Sequence, residues 1–333
     1  MIIARSPLRI SLGGGGTDLP SYYEDHAGFL IAAAIDKYVY ITLHQTFVPE
    51  LIIKYSKLER VESLDAIEHP IIREALKLVG IPPRGLEITS MADIPAGTGL
   101  GSSGSFTTAL LKVLHAQKKN LVHPSDLAEQ ACEIELNRLK EPIGKQDQYI
   151  AAYGGLKYTR FNPDGSVFTD PIICSPTTLQ QLQDGLLLLY TGLTRKADNI
   201  LVEQAQGTRT EEAKQASLRH MVGLADQLYE ALGRDDLDAF GEVLHCGWVE
   251  KRKLASGISN NHIDDWYERA RANGAIGGKL LGAGGGGFLL FYAPPERHAD
   301  ICKALPELRH VPFYFSPQGS KVVYVEENGY EPS

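Results

Sequence analysis

Short β-branched and aromatic runs alternate along this chain with longer stretches whose apolar residues recur three and four apart. Residues 39–43 (Val-Tyr-Ile-Thr-Leu) and 51–55 (Leu-Ile-Ile-Lys-Tyr) have the composition of strands. Residues 69–79 have helical spacing and stop at Gly80-Ile81-Pro82-Pro83, a strong helix terminator. Residues 86–94 predict a strand and, after a Gly/Ser loop, residues 105–116 predict a helix. Another helix is expected over about 125–139, with Ser125 as its N-cap. The second half opens with an apolar strand at 185–190. Two or three long helical stretches follow within 197–254, with a further helix at 262–272. Strands at 287–292, 311–315 and 321–325 then alternate with one helix. The polar stretch 162–184, with a turn at Pro163-Asp164-Gly165, places a boundary between a domain of residues 1–170 and one of 171–333. Helices are not regularly interleaved with strands in either half, so the expected class is α+β.

Length changes the picture little: 333 residues lie above the size at which single cores divide, in keeping with two domains. A formal net charge of −8 leaves no basic footprint, so nucleic acid is excluded as the expected partner. Cys132, Cys174, Cys246 and Cys302 are scattered without a CxxC pair, which argues for a reducing compartment. The first residues lack a basic segment followed by an apolar one. No apolar run nears the roughly 20 residues that span a membrane. The expected location is the cytoplasm, with no membrane partner.

Candidate chemistry lies in three glycine-rich loops. In Pro95-Ala-Gly-Thr-Gly-Leu-Gly-Ser-Ser-Gly-Ser105, glycines let the backbone wrap an anion, and the helix that follows presents free N–H groups. Ser102, Ser103 and Ser105 add hydroxyls for phosphate oxygens or a magnesium ion. No lysine is present, so this is not a P-loop. In the loop 12–19, four consecutive glycines, with Gly14, Gly15 and Gly16 leading into Thr17 and Asp18, point to backbone held against a polar ligand. Asp18 either accepts two sugar hydroxyls or caps a turn. The third loop carries GxGxxG at Gly282, Gly284 and Gly287, but a strand pattern follows where a dinucleotide fingerprint opens a helix. It reads as a close-packed turn lining a phosphate site, with Gly284 and Gly285 against the ligand. Glu133 and Glu135 stand two apart on one helix, so at most one enters a site. Pro142 and Gly144 interrupt that helix and place Asp147 in the first turn of the next, where it either stabilises the helix or serves the site. None of the ten histidines has ligand spacing.

Taken in order, these loops resemble the three motifs of the GHMP kinase family (galacto-, homoserine, mevalonate and phosphomevalonate kinases), and the resemblance covers essentially the whole chain. It implies an N-terminal domain like ribosomal protein S5 domain 2, a ferredoxin-like C-terminal domain, and ATP between them. Gly97, Gly99, Leu100, Gly101, Ser102, Ser103, Gly104 and Ser105 would then wrap the ATP phosphates, with Ser103 at the family's magnesium-binding serine. Glu135, seven residues before Pro142, has the spacing of the magnesium carboxylate in the mevalonate kinase branch. Asp147 resembles the galactokinase aspartate that contacts the reacting hydroxyl. Arg9 stands where galactokinases have an arginine near the transferring phosphate, and Asp18 where they have a sugar-binding aspartate. Gly15 and Gly16 replace an acidic residue and a histidine, and without that acid's hydroxyl contacts the pattern argues against galactose as the substrate. Residues 5–20, 34–38 and 190–195 look most like the branch that phosphorylates the anomeric hydroxyl of D-glycero-D-manno-heptose 7-phosphate. The implied cofactors are ATP and Mg2+, and the implied partner is a small sugar phosphate; a homodimer is also admitted. Arg195 and Lys196 are the candidates for the sugar's own phosphate, with Lys54 and Arg160 behind them, the alternative being solvated charges that open a helix. A fucose kinase of the same family and a catalytically silent sugar and ATP sensor are the rival readings.

Overall fold

A computed structural model of the protein describes residues 1–193 and 198–326. The first half runs β1 (Ile2–Gly13), α1 (Pro20–Tyr23), β2 (Gly28–Gln45), β3 (Leu51–Lys54), β4 (Leu58–Val61), α2 (Pro70–Val79), β5 (Leu86–Ala92), α3 (Ser102–Gln117), α4 (Pro124–Cys132), α5 (Gln146–Tyr153), β6 (Leu156–Phe161) and β7 (Val167–Pro171). The second runs α6 (Pro176–Gly185), β8 (Leu186–Tyr190), α7 (Asp198–Thr210), α8 (Glu212–Gly233), α9 (Leu237–Lys251), α10 (Asn261–Ala272), β9 (Gly277–Leu280), β10 (Phe288–Tyr292), α11 (His298–Ala304), β11 (Arg309–His310) and β12 (Lys321–Val325). One sheet has the order β12-β1-β2-β5-β3-β4, with β6 pairing β2 and β7. A second, four-stranded sheet has the order β11-β8-β10-β9. Helices and strands are segregated as α+β requires. No described helix is long and apolar enough to cross a membrane.

β2 organises the first sheet. Its 18 residues pair along one edge with β1, and along the other with β6 and then β5. α3 lies on this sheet and buries Ala109, Leu110, Leu111, Val113 and Leu114 completely. α2 shows how local signals set a helix: His69 accepts Ile72 N–H at the N-terminus, and Gly80 closes the C-terminus at φ 71°.

Three expectations change. The helix expected over 125–139 has the right extent, but its last turns, Glu133–Arg138, are a π-helix. The strand expected at 311–315 does not form: β11 ends at His310, just before that range, and Phe315 makes an isolated bridge to Ile35. Pro312 interrupts the ladder because it has no N–H, and Tyr314 N–H turns to the Asp36 carboxylate (2.9 Å) instead. The division at 170 falls at the end of β7, but residues 171–333 do not stand apart from the first sheet. β12 returns to pair with β1, and Leu228 of α8 packs where a side chain on Gly13 would stand, 2.4 Å away. A single apolar cluster joins Leu8 and Leu114 to Leu188, Phe240 and Leu244. The three loops meet in the cleft between the sheets.

Candidate active site

A cavity of about 450 Å³ opens where the three loops converge. Gly101 is the N-cap of α3, left-handed at φ 75° and without a capping side chain, so the first N–H groups of the helix are left for a ligand. Gly97, Gly99, Gly101, Ser102 and Ser103 line the space. The other phosphate-loop candidates face inward. Leu100 is core, and Ser105 Oγ donates to the Pro7 carbonyl (2.7 Å). A Cβ on Gly104 would stand 2.8 Å from the Asp147 backbone carbonyl carbon, so glycine there lets α5 approach α3.

Arg9 and Asp147 meet on this wall. The buried Arg9 guanidinium donates through Nε to Asp147 Oδ1 (2.7 Å) and through Nη1 to the Gly99 carbonyl (2.6 Å), while Arg9 N–H bonds the Leu100 carbonyl (3.0 Å). Asp147 sits in the first turn of α5, where the helix dipole favours its charge, and it also lines the cavity. The two readings left open by the sequence thus describe one position.

Glu135 is fully buried on the π-helical turn. Ser103 Oγ donates to Oε1 and Gln148 Nε2 to Oε2 (2.8 Å). Burial pushes its carboxyl up to about 7, with the two hydrogen bonds opposing the rise. Glu133 points to solvent and pairs with Arg138 (3.2 Å), so only one of the two glutamates is internal. A buried carboxylate with a hydroxyl beside it and no cationic partner among the described residues suits a divalent ion. No group of three or more His, Cys, Asp or Glu side chains converges among those residues. Kinase magnesium sites need few protein ligands, since substrate phosphates supply the rest.

Asp18 is buried and accepts N–H groups from Gly16 (3.0 Å) and Gln146 (3.3 Å), so it staples the first loop to α5 while lining the cavity. Burial raises its pKa first, and the nearby Asp147 raises it further. Gly15 and Gly16 also line the cavity, whereas Gly14 and Thr17 turn to β2. Thr17 Oγ1 donates to the Gly14 carbonyl (2.7 Å) and accepts Phe29 N–H (3.2 Å). In the third loop, Gly282 and Ala283 reach the cavity, rather than Gly284 and Gly285. A Cβ on Gly284 would lie 2.5 Å from Ile258 Cα, and Gly285 N–H bonds the Ile258 carbonyl (3.0 Å), so both serve packing here. Arg195 and Lys196 lie outside the described residues. Lys54 pairs with Glu87, and Arg160 stacks over Phe29.

Sequence reasoning missed Lys251 and Ser11. Lys251 lines the cavity and is buried, and its ammonium donates to the carbonyls of Leu280 (3.1 Å) and Gly282 (2.5 Å). Burial, then the nearby Arg9, pulls its pKa down to about 7, against the pull of Asp18. Within Lys251-Arg252-Lys253 it reads as one of a run of solvated charges, and no local signal sets it apart.

The N-terminal domain of GHMP kinases matches residues 66–155, and the C-terminal domain matches residues 228–307, together about half of the chain. The D-glycero-alpha-D-manno-heptose 7-phosphate kinase of Campylobacter jejuni is 29% identical, over 96% of this chain and 98% of its own. The L-fucokinase/L-fucose-1-P guanylyltransferase of Bacteroides fragilis is 27% identical over 97% of this chain, which matches 38% of that longer protein. The crystal structure of a D-glycero-D-manno-heptose 1-phosphate kinase from Bacteriodes thetaiotaomicron aligns with a TM-score of 0.81 at 25% identity, covering 98% of this chain and 100% of the other. With both family domains in sequence and the α+β fold of its members, the chain belongs to the GHMP kinase family and is an ATP-dependent kinase with an alcohol acceptor.

Proposed function

We propose that the chain is a sugar kinase that uses Mg·ATP to phosphorylate the anomeric hydroxyl of D-glycero-D-manno-heptose 7-phosphate, giving the 1,7-bisphosphate for nucleotide-activated heptose and surface glycans. The observation that carries the kinase chemistry is the Arg9–Asp147 pair, set against the open N-terminus of α3 inside one cavity. The heptose assignment rests on similarity to a heptose 7-phosphate kinase along nearly the full length of both chains. Glycine at 16 agrees with it. A Cβ there would lie 2.5 Å from Gln204 Nε2, so the buried Gln204 occupies space beside the loop position where galactokinases carry larger side chains.

In this reading Gly97, Gly99, Gly101 and Ser102 hold the phosphates of ATP, and Asp18 and Asp147 face the sugar. Asp147 orients the attacking hydroxyl and receives its proton, while Arg9 balances charge on the transferring group. Phosphoryl transfer asks the protein mainly for position and charge, which the buried pair supplies in advance. Ser103 and Glu135 would hold magnesium, which when bound would offset the charge of the triphosphate. A cytoplasmic location is supported by the unpaired cysteines and by the demand for ATP.

A panel of heptose 7-phosphate, unphosphorylated heptose, fucose and galactose, each with ATP and read by product mass, tests the assignment. Heptose 7-phosphate is expected to gain one phosphoryl group and to outpace the others. Preferred turnover of fucose would move the chain to the fucokinase branch, and no turnover of any sugar would favour a sensor.

A further inference from the structure

Lys251 is the last residue of α9, and it reaches into the cavity from the second half of the chain. Two of its three N–H groups hold the Leu280 and Gly282 carbonyls, so one remains. The position of that ammonium follows from the loops. A Cβ on Gly282 would stand 2.4 Å from Gly99 Cα, and the Gly99 carbonyl is held by Arg9. Lys251 therefore stands across a single backbone contact from the Arg9–Asp147 pair. Ser11 supplies an independent sign. It lies two residues beyond Arg9 on β1, is 5% exposed, lines the same cavity, and its Oγ has no hydrogen-bond partner among the described residues. A buried hydroxyl left unpaired is uncommon and calls for a ligand. If Lys251 only tied the third loop together, Ser11 would remain unexplained.

We propose that Lys251 and Ser11 bind an oxygen of the γ-phosphoryl group of ATP, making Lys251 a second catalytic cation opposite Arg9. The inference rests on the kinase activity of the family and not on which sugar is the acceptor. As the acceptor oxygen bonds to γ-phosphorus, the bond from phosphorus to the bridging oxygen breaks. That electron pair leaves with ADP, and the hydroxyl proton passes to Asp147. Lys251 changes no bond in this step and holds charge on the oxygens that move. Its burial, with no carboxylate partner among the described residues, is eased when an anion arrives, which couples its charge to the presence of the triphosphate.

Calorimetric titration of the full chain with Mg2+ and either ADP or the β,γ-imido analogue of ATP tests this without any sugar. Lys251→Met should weaken the imido analogue by roughly tenfold to a hundredfold and leave ADP within about twofold. Ser11→Ala should shift the same ratio by less, and Lys251→Arg should restore part of it. Equal weakening of both nucleotides, or of neither, would overturn the proposal, as would a rise confined to the KM of a sugar phosphate. If Lys251→Met fails to melt cooperatively, Ser11→Ala decides, since an unchanged ratio there is equally fatal. Failure of the heptose assignment would appear only in the substrate panel and leaves this ratio untouched.

Discussion

The cavity wall contributed by the first sheet and the wall contributed by the second hold their charges in opposite ways. On the first, Arg9 is buried but matched, with Asp147 at 2.7 Å and the Gly99 carbonyl at 2.6 Å. On the second, Lys251 is buried with no ion pair among the described residues, as is the nearby Lys279, which does not line the cavity, and burial drives both pKa values down. Removing a charge from water is costly unless a partner replaces the water. The Arg9–Asp147 pair is thus complete before substrate binds, while Lys251 is stabilised by an anion that must come from outside. The contrast teaches where binding energy can be used: a preorganised pair gives geometry, and an unmatched cation gives differential affinity for a more highly charged ligand.

Breaking the matched wall should have the largest effect. Asp147→Asn keeps the shape of the side chain but removes its charge and basicity, so turnover should fall by roughly 10²–10⁴. Calorimetry should show ATP still binding, and near-normal turnover would take Asp147 out of the chemistry.

The metal candidates sharpen the comparison, because Glu135 stands beside the first wall yet has no cationic partner among the described residues. Ser103→Ala and Glu135→Gln should each raise the magnesium concentration for half-maximal rate by at least roughly tenfold. The double variant should fall short of the product of the two, since both act through one ion. Magnesium titrations that match the unmodified protein would place the metal elsewhere.

Glycine substitutions test how tightly the first wall is built. Gly104→Ala drives a methyl against the Asp147 backbone at 2.8 Å and should lower stability by about 1–3 kcal/mol in urea unfolding. Gly97→Ala meets no atom within 4 Å, so only its φ of 77° opposes the change, at about 1–2 kcal/mol. Equal losses in activity from the two would contradict a packing role for Gly104.

The last test is one of sign. Lys251 has a folded pKa of about 7 against an ordinary value of 10.5, so between those limits the unfolded chain binds more protons and stability rises with pH. The groups facing it are Arg9, Asp18 and Lys279. Lys251→Met removes its share of that dependence. The variant should gain on the unmodified protein as pH falls from about 10.5 to about 7 and hold a constant margin below. A margin independent of pH in urea titrations would show that the ammonium is solvated.

By itself the sequence determined whatever depends on a few neighbouring residues. The ends of α2 are written in His69 and Gly80, and the turn that opens α3 is written in the glycine and serine pattern of residues 95–105. The two-residue spacing of Glu133 and Glu135 stated that one of them stays outside, but not which. β1 was not legible, because Pro7 and the polar Arg5, Ser6, Arg9 and Ser11 conceal a strand that is buried on both faces and bulged between Pro7 and Leu8. Tertiary structure decided the rest: that β12 crosses back to β1, that Gly284 and Gly285 pack on Ile258 and not on the cavity, and that Lys251 is internal. The reason is physical. Turn and capping chemistry is settled within one or two turns of chain, whereas the burial and charge balance of a side chain belong to whatever distant segments fold against it. For Lys251 those segments are Arg9 and Asp18, more than two hundred residues earlier in the chain.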